Sequence, residues 1–335
     1  MQAVLDRLAR SLPAGYSARP FEDHDREALV AARNREVHPL QTGDAEEWRV
    51  WERVSAPKGL VRVVVADAAG DSVAMGETSE GVLPRTDGAH DIGVGVAREH
   101  RRRGIGGALL DALEDEARRR GAPMLVAGTR EQIAGALEWA TARGYREIGR
   151  RIESYVELAS FDPTAHRDIV ERAAGTGVRL VTFAERLDGA SEDAREAFFH
   201  ELWEAEGPMW DDIPWARPRP HWPYEQFRRM AVESGQLIPE CSVVALDGDR
   251  IVGLTMSGKR QDRDGYTWMT GVGREHRGHG IAFALKVESL RRAKDRGMRA
   301  MLTTNDEPNK AMRGINARLR YRVLPAHVEL EKAFS

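Results

Sequence analysis

Apolar residues fall into short alternating runs, each followed by a stretch of near-fourfold period, and the whole succession occurs twice. LVRVVVADAAGDSVAMGET reads as two strands around a turn at Gly70 and Asp71, with β-branched residues on both sides. SVVALDGDRIVGLTM repeats the design, turning at Asp247, Gly248 and Asp249. A further strand follows in each half, HDIGVGV at 90–96 and YTWMTGV at 266–272. The period then changes. Ile105, Leu109, Leu113 and Ala117 share one helical face, and Ile281, Leu285, Ser289 and Ala293 trace a weaker equivalent. Gly121 and Gly297 are expected helix stops. Short strands MLVAG and MLTTN come next, then helices running into ARGYR at 142–146 and RLRYR at 318–322.

The two successions are in register at a single offset. GVAREHRRRGI at 95–105 recurs as GVGREHRGHGI at 271–281, so that Arg98 matches Arg274 (274 − 98 = 176). A repeat of this length implies two copies of a whole domain. Upstream the match is looser, although YSARPF at 16–21 and RLVTFA at 179–184 both read as opening strands before helices. Residues 159–177 read as a linker helix, with Asp162 as N-cap, Pro163 at its first position, and Gly175 and Gly177 breaking the chain. The expected organisation is a first domain at 1–158, the linker at 159–177 and a second domain at 178–335.

Composition narrows the class without changing this picture. The chain has 335 residues, 41% hydrophobic and 31% charged, which is ample for two cores. A net charge of −3 gives no reason to expect a nucleic-acid partner. Cys241 is the single cysteine, so no internal disulfide and no cysteine-rich metal site forms; its setting, CSVVAL, reads as the start of a buried strand. MQAVLDRLARSLPAG mixes charges into its apolar run, unlike a signal peptide, and nothing approaches the roughly 18 consecutive apolar residues of a membrane span. A cytoplasmic protein with no membrane partner and no metal is expected. The sequence does not speak to oligomeric state.

The repeated words carry the chemistry. A loop that opens a helix directly after a strand turns several backbone N–H groups toward one point, where the helix dipole adds partial positive charge. Gly104 and Gly280 clear the approach; Arg101, Arg102 and Arg103, and Arg277 with His279, add cationic or donor groups. The combination fits a pyrophosphate. A Walker A loop is excluded, because no Gly-Lys-Ser/Thr occurs. A dinucleotide loop starts at Gly93 and Gly95 but has Arg98 at the third glycine position. The pattern Arg-x-x-Gly-x-Gly/Ala is met by Arg101, Gly104 and Gly106, and again by Arg277, Gly280 and Ala282.

At these residues the chain resembles the GNAT superfamily of acetyl-CoA-dependent N-acetyltransferases, and more closely its tandem two-domain members. The resemblance covers nearly the whole chain and includes TNDEPNKAMRGINARLRYRVLPAHVELEK at 304–332, which looks like the family's helix after the fifth strand and a final strand pair. It implies an α/β (α+β) class: two domains, each a mixed, largely antiparallel sheet flanked by helices. It also implies acetyl-CoA as co-substrate. CoA pyrophosphate would sit on Arg277, Gly278, His279, Gly280, Ile281 and Ala282, with the equivalent cradle at Arg101, Arg102, Arg103, Gly104, Ile105, Gly106 and Gly107. Pantetheine would run beside Val272 and, by equivalence, Val96.

The halves are unequal. Asn305, Asn309 and Asn316 correspond to Thr129, Ile133 and Ala140, so three amides that donate and accept hydrogen bonds face one hydroxyl and two apolar groups. The resemblance implies that polar residues here contact CoA, which makes the second half the catalytic candidate and the first degenerate. The expected reaction is direct attack of a primary amine, on a small molecule or peptide, upon the acetyl thioester. The family's usual tyrosine acid is missing: position 316 is asparagine, and its closing Gly-Phe/Tyr pair has become Arg320 and Tyr321. Asn316 through a water, or direct solvent, is left to serve as the acid. ELWEAEGPMWDDIPWARPRPHWPYEQF at 201–227 carries Glu204, Glu206, Asp211 and Asp212 among tryptophans, and Glu206 is the candidate base. The competing readings are a non-catalytic acyl-CoA-binding or sensing protein and a transferase for a longer acyl group.

Overall fold

A computed structural model of the chain describes residues 1–81, 87–217, 219–261 and 263–334. In chain order the strands are β1 (Ser17–Pro20), β2 (Val61–Ala66), β3 (Ser72–Ser79), β4 (His90–Val96), β5 (Met124–Arg130), β6 (Arg146–Glu157), β7 (Arg179–Thr182), β8 (Val243–Asp247), β9 (Arg250–Arg260), β10 (Asp264–Val272), β11 (Ala300–Asp306), β12 (Arg322–Val323) and β13 (His327–Ala333). The helices are α1 (Gln2–Ser11), α2 (Asp25–Asn34), α3 (Ala45–Ser55), α4 (Ile105–Arg119), α5 (Ala136–Ala142), α6 (Arg167–Ala174), α7 (Phe183–Leu187), α8 (Glu192–Asp211), α9 (Tyr224–Arg228), α10 (Ile281–Asp295) and α11 (Lys310–Arg318). They divide between unit 1, Met1–Arg150 with Pro325–Ser335, and unit 2, Arg151–Leu324.

In unit 1 the sheet runs β1, β2, β3, β4, β5, β13, antiparallel throughout except for the parallel pair β4 and β5. The four apolar positions of α4, Ile105, Leu109, Leu113 and Ala117, are all buried against β3 and β4. The three larger ones each contribute about 2 kcal/mol by leaving water. Gly76 permits the close approach, since a Cβ there would lie 2.7 Å from Leu113 Cδ1.

Unit 2 repeats this order as β7, β8, β9, β10, β11 and residues 151–157 of β6, again with one parallel pair, β10 and β11. Alternation along β8 explains its burial on both faces. Val244 and Leu246 pack into the cluster with Leu202 and Met209 of α8, whereas Val243 and Ala245 pack with Ile281 and Leu285 of α10. The linker expected at 159–177 belongs to unit 2. Asp162 caps a 3-10 turn by accepting from Thr164 N at 2.9 Å, and α6 then packs on α10.

The strand pair expected near the end of the second half is not formed. β12 pairs with β6, while β13 pairs antiparallel with β5 of unit 1 and buries Val328 and Leu330 in that core. Its place beside β11 is taken by residues 151–157, which the sequence assigns to the first half. Register shows that the exchange is reciprocal. His327 lies opposite Arg130 and Arg151 opposite Asp306; 327 − 151 and 306 − 130 are both 176. The expected limits at 158 and 178 therefore both fall inside unit 2. Two edge strands of equal length and alternating pattern satisfy the same ladder, so pattern alone does not say which sheet each completes.

The turn after α11 keeps its shape despite the arginine at 320. Arg320 has φ +61°, in the left-handed region, where its equivalent Gly144 has φ +86°. A side chain in that conformation costs about 1–2 kcal/mol, part of which glycine would return through unfolded-state entropy. Arg320→Gly is therefore expected to stabilise unit 2 by up to about 1 kcal/mol, seen as a higher urea midpoint at unchanged slope. A lower midpoint would contradict it.

Candidate functional site

In unit 2 the site begins where two parallel strands part. β10 pairs with β11 only from Asp264 to Thr267, but it stays paired with β9 as far as Val272. A bulge between Thr267 and Met269 marks the departure. Bulges of this kind bend a strand and re-aim its side chains. Gly273 N donates to Val252 O at 2.9 Å, so by ladder alternation the N–H groups of Thr270 and Val272 point away from β9, into the gap. The Val272 side chain itself is buried under α10, with Ile281 and Leu285.

The loop that follows is set by two left-handed glycines, Gly278 and Gly280, each at φ +83°. Gly280 is the N-cap of α10, and no side chain caps that helix start. The first-turn N–H groups around Gly280, Ile281 and Ala282 are thus presented together, as an anion requires. Arg277, whose side chain is partly exposed, is also held from within. Its Nε donates to Val272 O at 2.9 Å and its NH2 to Asp212 Oδ2 at 2.6 Å. Asp212, at the end of α8, also holds Arg274, and hydrogen bonds from the two guanidiniums keep its carboxyl well below the usual range. Arg277 is a brace that fixes the loop to the end of β10. His279 stays exposed.

Unit 1 has the same construction at its loop. Arg101 Nε donates to Val96 O at 2.8 Å, with Glu36 in the role of Asp212. Gly104 stands at φ +92° as the uncapped start of α4, and Arg102, at φ +62°, occupies the position of Gly278. Arg103 donates to Tyr16 OH at 2.9 Å. Here β4 and β5 pair only at His90 and Asp91, and β4 runs along β3 without a bulge. The first turn of α4 is covered by its own unit. Gly106 faces Val96 and Trp139, and the Arg143 guanidinium lies over Gly107, held by Asp111 at 2.9 Å and by the Trp139 ring.

The asparagines of unit 2 divide into a pair and a cap. Asn316, 3% exposed on α11, donates Nδ2 to Asn305 Oδ1 at 2.7 Å, while its own Oδ1 is buried with no protein partner. Asn309 is occupied otherwise: its side chain accepts from Met312 N at 3.2 Å and caps α11. Tyr321 is buried in the cluster with Phe283 and Val287 of α10, with Lys286 Nζ 5.0 Å from its ring centre.

Glu206 is buried on α8. One turn later Met209 lies against Gly271 of β10, where a Cβ would meet Met209 Sδ at 2.8 Å. The segment after α8 is tied down rather than open. Trp203 Nε1 donates to Trp222 O and Trp210 Nε1 to Arg219 O, both at 2.7 Å. Ala216 N donates to the buried Asp306 Oδ2 at 3.0 Å, at the end of β11. Glu204 and Asp211 lie exposed on α8. Sequence reasoning missed the Asp212 brace, the Asp306 anchor and the β10 bulge. The first two join residues 62–65 and 90 positions apart, and no local period signals them.

Among the described residues no helix is long and apolar enough to cross a membrane, and no group of three or more His, Cys, Asp or Glu is arranged to hold a metal. Residues 20–145 and 196–318 each match the Acetyltransferase (GNAT) family. No curated protein matches the chain. A GCN5-related N-acetyltransferase from Sphaerobacter thermophilus shares the fold at TM-score 0.70 and 23% identity, covering 96% of each chain. A tandem GNAT protein from the clavulanic acid biosynthesis pathway does so at TM-score 0.68 and 22% identity, over 95% of this chain and 98% of its own. N-myristoyltransferase of Saccharomyces cerevisiae, solved with myristoyl-CoA, is similar at TM-score 0.57 and 9% identity, over 97% of this chain and 80% of its own.

Proposed function

Because the chain belongs to the acetyltransferase (GNAT) family, an N-acetyltransferase with acetyl-CoA as co-substrate, we propose that unit 2 carries the catalytic centre and acetylates a primary amine of a small molecule or peptide by direct attack. One observation carries this assignment: the parallel strands part in both units, but the β10 bulge and the buried Asn305 and Asn316 pair occur together in unit 2 and at neither equivalent place in unit 1. The N–H groups from Gly278 to Ala282 hold the pyrophosphate, with Arg277 as their brace. The gap along β10 takes pantetheine, whose amides find the strand groups that β11 leaves unpaired, and the N–H groups of Thr270 and Val272 polarise the thioester carbonyl.

The free end of Asn316 is an acceptor, so it holds a water that protonates the departing thiolate; it does not give up a proton itself. Glu206 supplies negative charge on the amine side. Unit 1, with Arg143 over its first turn, braces the chain without catalysing. Isothermal titration is expected to give CoA binding with a Kd on the order of micromolar at one site per chain. No binding by the intact protein would overturn the reading, and two equal sites would give unit 1 a binding role.

A further inference from the structure

Glu206 does not meet the acceptor side alone. His221 Nε2 lies 3.7 Å from Glu206 Oε2, and the imidazole is the outer member, with 16% of its side chain exposed against 5% for the carboxylate. Two indoles hold the ring: Trp203 stacks on it at 5.6 Å and 23°, and Trp210 stands 5.8 Å away. Both indole N–H groups are spent on carbonyls of the same segment, which fixes these walls. The aromatic row continues to Trp215, 4.9 Å from Trp210, beside the Ala216 N–H that is anchored to Asp306 of β11. At its other end, α8 touches β10 through Met209. The segment bearing the pair therefore spans the mouth where β10 and β11 part.

We infer that His221, oriented by the carboxylate of Glu206 behind it, takes the proton from the acceptor amine. This rests on unit 2 being the catalytic centre. The ammonium N–H gives its proton to the imidazole, and the neutral nitrogen's lone pair forms the N–C bond to the acetyl carbon. The C–S bond breaks with its electron pair on sulfur, the nitrogen loses its second proton to water as the CoA thiolate takes one from water, and the imidazolium returns its proton to solvent. From α8 the group facing the ring is Glu206, with His200 and Glu204, 3.6 Å apart, behind Trp203. From its own segment Arg219 is drawn over Trp215 at 5.1 Å.

The test follows thiol release from acetyl-CoA with benzylamine, spermidine and a lysine-bearing peptide as acceptors. His221→Gln is expected to lower kcat by about 100-fold with KM for acetyl-CoA unchanged. Glu206→Gln is expected to lose about 10-fold, and added imidazole to restore part of the rate of His221→Ala. A His221→Gln variant with the wild-type rate would remove the histidine's role and leave the acetyltransferase reading standing. A wild-type protein that binds acetyl-CoA but releases thiol with none of the amines would overturn both.

Discussion

Valine at position 280 is expected to abolish acetyl transfer, lowering kcat/KM by at least about 100-fold, while valine at position 104 leaves half or more of the rate. The two glycines are alike in conformation, at φ +83° and +92°, so each substitution strains its backbone by about 1–2 kcal/mol. They differ in what surrounds them. A Cβ at 280 meets Ile169 Cγ2 at 3.1 Å, whereas at 104 the nearest atom is Pro13 Cγ at 4.0 Å. Strain and contact together shift the loop that the proposal places under the pyrophosphate, and a displacement near 1 Å is enough to cost two orders of magnitude. Thiol release measured at saturating acceptor, beside circular dichroism of both variants, separates lost chemistry from lost folding. Equal losses at 280 and 104 would defeat the assignment of catalysis to unit 2.

The second large effect concerns stability. Lys286 is 2% exposed in the core of unit 2, and its equivalent in unit 1 is Leu110. Unit 1 also sets a lysine against a tyrosine, Lys332 over Tyr145, but there Glu114 binds the ammonium at 2.7 Å. Position 290, the equivalent of Glu114, is leucine, and no carboxylate among the described residues pairs with Lys286. Burial pushes the Lys286 amine down from 10.5 to about 7. A base whose folded-state pKa is depressed releases its proton on folding. Its cost is therefore absent above the unfolded value, grows as pH falls from 10.5 toward 7, and is constant below that. Lys286→Met is expected to stabilise the protein by about 3 kcal/mol at pH 7, with the advantage shrinking steadily toward pH 10. Urea unfolding of both proteins at pH 7, 8, 9 and 10 reads the difference. A gap that stays constant with pH would mean the amine is not titrating in the fold.

Much of the fold was legible because its determinants are local. The hairpin turns at Gly70 and Gly248, the helix stops at Gly121 and Gly297 and the paired loops each announce themselves within a few residues, and the repeat doubles every signal. The phosphate loop was legible as a place but not in its wiring. That Asp212, 65 residues earlier, holds Arg277 is carried by no local period. The asparagines show the same limit. Composition singled out three, yet only the register of β11 against α11 joins Asn305 to Asn316 and leaves Asn309 to cap a helix. His221 sits between prolines with no periodic neighbours, so nothing in the sequence tied it to Glu206.

The exchanged strands bear on how the chain is made. All of unit 2 lies between Arg151 and Leu324, so it closes as soon as that stretch has left the ribosome. Unit 1 is begun first but lacks its last strand until residues 327–333 appear. At about 5–20 residues per second, β5 waits roughly ten to forty seconds with an open edge. The half that is synthesised first is therefore finished last, and a nascent chain arrested before residue 327 would carry a complete second half and an unfinished first.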